Sequence, residues 1–361
     1  QKVIPFLQGY QEIVLFFDSD DAGREAVESA ASILPAGRAK IARLSGYKDA
    51  SDALQNGDCE AIRRAIWDAK PYTPDGIIEG KDLLELVTQP TKDYDHLYPF
   101  EGLNKMVQGI RYGELTTLTA GTGSGKSSLV RALAVDLLKK GERVGYLALE
   151  ESNKRSALGL MSNANGKAYH IGEHDTDELT DAFNNTIANW HLYLFDGFGS
   201  FDPDVIYNRI EYLASGLECR IIFLDHLSIL LSGLDGDERR MIDTTMTRLR
   251  SLVERTGITL FLVSHLRRSS SDNHSHEEGG RVSLGQLRGS HSISQISDSV
   301  IALERDQQSQ DANNVTTIRV LKNRYSGQTG VATRLTYDLS SCQFYETTKD
   351  PEPEFDATTD F

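Results

Sequence analysis

Ten residues, Thr119-Ala120-Gly121-Thr122-Gly123-Ser124-Gly125-Lys126-Ser127-Ser128, constrain this chain more than any other stretch. The apolar run Leu115-Thr116-Thr117-Leu118 precedes them and reads as a buried strand. Behind them Leu129, Leu133 and Leu137 recur every four residues, with Val130 and Ala134 alongside, which predicts a helix with one apolar face. Gly141 supplies its stop. Strand, glycine loop, Gly-Lys-Ser and helix together make the context that a phosphate-binding loop requires. Gly121, Gly123 and Gly125 let the backbone N–H groups turn inward on an anion, and the helix N-terminus adds its positive end. Lys126 then reaches the terminal phosphates, and the Ser127 hydroxyl ligates Mg²⁺. The first glycine of the usual pattern is Ala120 here, a small residue that still fits.

Such a loop needs acidic partners on neighbouring strands. Ile221-Ile222-Phe223-Leu224 ends in Asp225, 99 residues after Lys126, and matches the acidic strand that holds Mg²⁺ in phosphate-loop enzymes. Residues 143–149 read as another strand, ending in Glu150-Glu151. A carboxylate there suits a general base that orients an attacking water, or else a helix start. Glu150 adjoins the strand and Glu151 opens the loop. Residues 258–265 form a further apolar run with His265 at its tip, level with Asp225. A lone histidine is more often structural, but parallel sheets bind ligands at the carboxyl ends of their strands, which favours a γ-phosphate contact.

At 361 residues the chain has room for two or three domains. A net charge of −15 excludes a surface that attracts nucleic acid everywhere, so any DNA site is a local basic lining in an acidic body. Cys59, Cys219 and Cys342 lie far apart, which argues against a zinc site or a disulfide framework and suits a reducing compartment. No run of 18 apolar residues and no signal peptide is seen, and we expect a soluble protein without a membrane partner. The chain begins at Gln1 with a strand close behind, so we read it as a fragment of a longer protein.

Ahead of the phosphate loop, Ile13-Val14-Leu15-Phe16-Phe17 reads as a buried strand running into Asp18-Ser19-Asp20-Asp21-Ala22-Gly23-Arg24. Asp18 and Asp20 leave the strand on one side, where they either share a hard cation or cap the helix predicted over 24–33. A second strand is predicted over 38–44, before Lys48-Asp49-Ala50. Residues 71–76 break the pattern. The short helix predicted over 80–87 is marginal alone and must dock on its own domain or a neighbouring subunit.

Beyond His265, residues 267–281 are polar and aperiodic, and carry Arg267, Arg268 and Arg281; Arg288-Gly289 comes next. These segments suit sequence-independent phosphate contacts, or are merely solvated. Residues 299–304 and 315–321 read as strands, and 322–327 as a hairpin tip bearing Lys322 and Arg324. The acidic stretch 346–361, ending at Phe361, is expected to be disordered, as a docking segment for a basic partner or as a solubility tail.

Taken in order, the phosphate loop, Leu149-Glu150-Glu151-Ser152, Leu224-Asp225-His226, Asp237-Glu238-Arg239, Ser264-His265-Leu266, Leu287-Arg288-Gly289-Ser290 and Ala302-Leu303-Glu304-Arg305 resemble the bifunctional primase-helicases of T-odd bacteriophages, ring helicases of superfamily four. Asp18-x-Asp20, Ala22-Gly23-Arg24 and Lys48-Asp49-Ala50 resemble the back half of a Toprim domain, implying metal at Asp18 and Asp20 with Asp49 nearby. The glutamate which that family places on an earlier strand is missing, so primer synthesis is not expected of this fragment.

The resemblance implies an α/β fold: a RecA-like phosphate-loop core with a mainly parallel sheet over 99–345, a partial Toprim segment over 1–70, a linker with a subunit-docking helix over 71–98, and a tail over 346–361. It implies a nucleoside triphosphatase, using ATP or dTTP with Mg²⁺, that moves 5′ to 3′ on single-stranded or forked DNA as a homo-hexamer or heptamer. Lys126, Asp225, Glu150 and His265 serve hydrolysis, with Gln295 beyond His265. Arg324 resembles the arginine finger inserted into the next subunit, with Lys322 close by. Arg305 and Tyr337 match the pair that sandwiches the base, and Arg267, Arg268, Arg288 and Gly289 the DNA loops. A basic position of the family shortly after that Arg-Gly is Ser294 here. The tail resembles the segment that binds the replicative DNA polymerase, and the setting is the cytoplasm of an infected bacterium. A RecA-like recombinase filament shares the same fold and sites and is the alternative.

Overall fold

The strand that enters the phosphate loop, Leu115–Ala120, is buried at all six residues. It lies inside a nine-stranded sheet of the unit Lys92–Phe361; the other compact unit is Gln1–Thr91. The structure is a computed structural model. It describes all residues except 1–3, 8, 19, 45, 75–76, 78–79, 89–91, 198–201, 232–236, 267–278, 288–290, 310–313 and 348–361. Arg267, Arg268, Arg288, Gly289 and the tail to Phe361 therefore lie outside the described residues.

In the first unit, β1 (Ile13–Leu15) pairs in parallel with β2 (Ala39–Ile41), and β3 (Lys70–Pro71) adds antiparallel to β2. The second strand is thus shorter than the 38–44 expected. The helix expected over 24–33 spans Asp21–Ser32 and starts earlier because the Asp20 carboxylate accepts the Gly23 N–H at 2.9 Å. Asp49 caps Ala50–Gln55 in the same way, accepting Asp52 N–H at 2.7 Å. Both carboxylates thus satisfy N–H groups that a helix start leaves open. The predicted linker helix is a 3₁₀ turn, Gly80–Leu83, followed by Leu84–Thr88, with Leu84 and Val87 exposed.

In the second unit the strands are β4 (Leu115–Ala120), β5 (Val144–Ala148), β6 (Leu192–Leu194), β7 (Ile221–Asp225), β8 (Thr259–His265), β9 (Ser299–Glu304), β10 (Val315–Asn323), β11 (Gly330–Asp338) and β12 (Gln343–Glu346). Their order is β12-β11-β10-β9-β4-β8-β7-β5-β6. From β9 to β6 every pairing is parallel, and β10, β11 and β12 add antiparallel. This is the α/β, mainly parallel sheet expected, extended by a hairpin and a short edge strand that periodicity does not reveal.

Helix Lys126–Lys139 buries Leu129, Val130, Leu133, Ala134 and Leu137, the face read from the sequence. They join one apolar cluster with Leu118, Tyr146 and Phe223. A second cluster joins Leu115, Ile222 and Leu262 to helices Pro203–Gly216 and Glu238–Thr256. The sheet therefore lies between two apolar layers, as strands hydrophobic on both faces require. With both faces covered, chemistry is confined to the strand ends.

Candidate nucleotide site

The loop after β4 turns through Gly123 and Gly125, at φ +73° and +91°, where a Cβ is strained. Gly125 stands at the N-cap of helix Lys126–Lys139 and offers no side-chain cap. The first-turn N–H groups therefore face a ligand rather than the protein, and the helix end favours an anion. Lys126 is 8% exposed; its ammonium donates to the carbonyls of Ala120 at 3.1 Å and Gly121 at 2.8 Å. Burial pushes its pKa down to about 8, with Asp225 and Glu150 pulling the other way.

Ser127 Oγ donates to Asp225 Oδ2 at 3.2 Å. Burial raises the Asp225 carboxyl, opposed by His226 and the Ser127 hydroxyl. A hydroxyl and a carboxylate oxygen at this separation suit adjacent ligands of Mg²⁺, whose bonds of about 2.0–2.1 Å put neighbouring oxygens about 3 Å apart. The donor set is hard oxygen, as that ion prefers.

Glu150 and Glu151 are told apart by their partners. Glu151 accepts Arg131 at 2.6 Å and the Ser156 hydroxyl at 2.7 Å, so both its oxygens are engaged. Glu150 points outward, its side chain 56% exposed, and accepts His226 Nε2 at 2.6 Å. His265 lies opposite Ala120, because β8 sits between β4 and β7. The expectation that it is level with Asp225 is corrected by the register. Leu224 pairs with Leu262, so His265 projects past the end of β7 and meets the His226 ring edge-on at 4.1 Å.

The antiparallel extension distributes the remaining candidates between the two ends of the sheet. Arg305 follows β9 at the phosphate-loop end, where Ala120 pairs with Leu303. Tyr337 sits at that end too, its ring 4.9 Å from Phe344, which borders Gly125. Gln307 Nε2 donates to Thr122 O at 2.7 Å and packs over Gly123, leaving no room for a Cβ.

The hairpin tip is at the other end. Asn323 pairs with Ser299, and Asp298 accepts Leu115 N–H at 2.9 Å. Arg324 donates to Asp298 at 2.7 Å and to the carbonyl of Gln295 at 3.1 Å; Arg250 holds the other Asp298 oxygen at 2.5 Å. Lys322 ties down the carbonyls of Ser294, Gln295 and Ser297 at 2.6–2.8 Å. The Gln295 side chain is exposed. In the first unit, Asp18 is exposed and Asp20 is a helix cap.

Sequence reasoning missed Gln307, Asp298 and the contact made by His226. The neighbour of Gln307 lies 185 residues away, so no spacing rule announces it.

Residues 98–346 match the family described as DnaB-like helicase C terminal domain, and residues 1–54 the family described as Toprim-like. The chain is 36% identical over 347 residues to a DNA helicase/primase of Enterobacteria phage T3, covering 92% of this chain and 60% of that protein. It is 26% identical over 239 residues to a probable plasmid replicative DNA helicase of Chlamydia muridarum, covering 64% of this chain and 50% of that protein. The chain thus spans less than two thirds of the length of these curated relatives. A solved DnaB-like replicative helicase shares the fold at a TM-score of 0.59 and 17% identity, covering 82% of this chain and 73% of that one. No described helix is long and apolar enough to cross a membrane.

Proposed function

The chain belongs to the DnaB-like helicase C-terminal domain family, with a Toprim-like segment ahead of it, and from that premise we propose that it is the motor of a replicative DNA helicase. The large unit hydrolyses a nucleoside triphosphate and couples turnover to movement along single-stranded DNA, as a ring of six or seven copies. The loop from Gly121 to Ser128 cradles the phosphates, and Lys126 meets the terminal ones. Ser127 and Asp225 would hold Mg²⁺, which supplies charge neutralisation when bound. Glu150 orients and deprotonates the attacking water. Arg305 and Tyr337 hold the base.

His265 meets the γ-phosphate, and Gln295 relays its loss to the segments of Arg267, Arg268, Arg288 and Gly289, which grip the DNA backbone. The exposed helix Leu84–Thr88 docks on a neighbouring copy. The acidic tail to Phe361 docks on the replicative polymerase, and the setting is the cytoplasm of an infected bacterium.

One observation carries the ring. Arg324 sits beside Leu115, at the start of β4, whereas the phosphate loop leaves β4 at Ala120. Six residues at about 3.3 Å each separate the two by roughly 20 Å. Arg324 therefore has no reach to its own site, and its target is the γ-phosphate on a neighbouring copy, for which it exchanges Asp298. Finger arginines contribute about 10³–10⁵ in rate. Arg324→Ala is accordingly expected to lose nearly all hydrolysis while still binding nucleotide; wild-type turnover would remove the finger. A forked-duplex assay, run with each triphosphate in turn, tests the motor. Strand separation that needs hydrolysis is expected, and open filaments without unwinding would contradict it.

A further inference from the structure

His226 directly follows Asp225, and no step of hydrolysis assigned to this site gives it a task. Its ring is 4% exposed and is clamped on three sides. Nδ1 accepts the backbone N–H of Ser228 at 3.1 Å, Nε2 faces Glu150 Oε1 at 2.6 Å, and His265 packs against the ring at 85°. Glu150, by contrast, is exposed and has no other hydrogen-bond partner among the described residues.

The Ser228 contact decides the tautomer. A backbone N–H can only donate, so Nδ1 is the lone-pair nitrogen and the ring proton resides on Nε2. That proton is aimed at Glu150. The ligating atoms of Glu150, His226 and His265 lie within 4.8 Å of one another, as in a metal triad. A metal-bound histidine, however, keeps its proton on the far nitrogen and donates it. Here the far nitrogen faces a donor, so the arrangement holds a carboxylate and not a cation.

We propose that His226 is the positioning residue for Glu150. Its fixed Nε2–H pins Oε1, and Oε2 is left to face the water. A glutamate on a strand end has three side-chain torsions. One hydrogen bond from a buried, tautomer-locked ring removes most of that freedom before nucleotide arrives, and a base held in place by an orienting group is the usual arrangement in such sites. The proposal rests on Glu150 being the base, and its test separates the two claims.

The measurement is steady-state nucleotide hydrolysis by the full chain with single-stranded DNA, alongside nucleotide affinity and thermal melting. His226→Phe keeps the packing against His265 and removes the donor. His226→Leu repeats the test should the phenylalanine variant not fold. His226→Gln restores an N–H near the position of Nε2. The donor-less variants are expected to lose about 10–100-fold in kcat, part of what a general base contributes, with KM and affinity unchanged. His226→Gln is expected to recover most of the loss. In a Glu150→Gln background, His226→Phe is expected to cost nothing further, because the two act as one unit. An inactive Glu150→Gln beside a fully active His226→Phe overturns the positioning role alone. So does a His226→Gln as slow as His226→Phe with both folded. An active Glu150→Gln removes the base, and the positioning role with it.

Discussion

The Lys126 ammonium is buried against carbonyl groups, and its pKa falls to about 8 from the ordinary 10.5. Between those values the empty folded site holds fewer protons than the unfolded chain, so stability rises with pH across that window. A bound triphosphate favours the charged lysine, so binding there takes up protons. Calorimetry at pH 9, in two buffers of different ionisation enthalpy, is expected to report uptake of most of a proton. Little is expected at pH 6.5, and none from this group in Lys126→Met. Uptake that persisted in that variant would place the proton elsewhere.

Glu150 and Glu151 are expected to separate cleanly. Glu150→Gln keeps the fold and loses turnover. Glu151→Gln keeps turnover but loses about 1.5–3 kcal/mol of stability, because it weakens the hold on a largely buried Arg131. Melting curves and hydrolysis rates on both variants check this, and hydrolysis retained by Glu150→Gln would move the base to Glu151. Lys126, Ser127 and Asp225 were legible because the chemistry fixes their spacing. His226 and Gln307 were not, because each acts through a neighbour distant in sequence, 76 and 185 residues away.

The strands that read clearly are those buried on both faces: β4, β5, β7 and β8 are unbroken apolar or threonine runs with little or no exposure. β11 and β12 were missed because half-buried positions blur their pattern, with Arg334 exposed in the middle of β11. Helices such as Ala50–Gln55 and Glu101–Val107 are too short to display a 3.6-residue period. The hairpin tip between β10 and β11 was legible, but its scaffolding was not. Asn323 accepts the N–H groups of Tyr325 at 3.1 Å and Ser326 at 3.2 Å and donates to Met106 O at 2.9 Å. Arg111 lies 3.4 Å over the Tyr325 ring. This bracing sets the direction in which Arg324 leaves the turn. Displacing a catalytic group by about 1 Å costs up to 10²-fold in rate. Asn323→Ala is therefore expected to lower kcat by about 10–100-fold with nucleotide affinity unchanged. An unaltered kcat would show that the turn does not aim the arginine.

At the scale of the whole molecule, the division into a small α/β unit and a larger nine-stranded one was legible in outline, because Pro71 and Pro74 break the pattern and the phosphate loop announces the larger unit. The need for a second copy came from the register of the sheet. One end carries the phosphate loop, Asp225, Glu150 and His265; the other carries Arg324 about a strand's length away. The most direct test tracks turnover per chain against assembly, with hydrolysis and sedimentation measured across a dilution series, with and without single-stranded DNA. Turnover is expected to vanish as rings fall apart and to return, stimulated by DNA, as they re-form. Dispersed single copies hydrolysing nucleotide at the full rate, indifferent to DNA, would contradict the account.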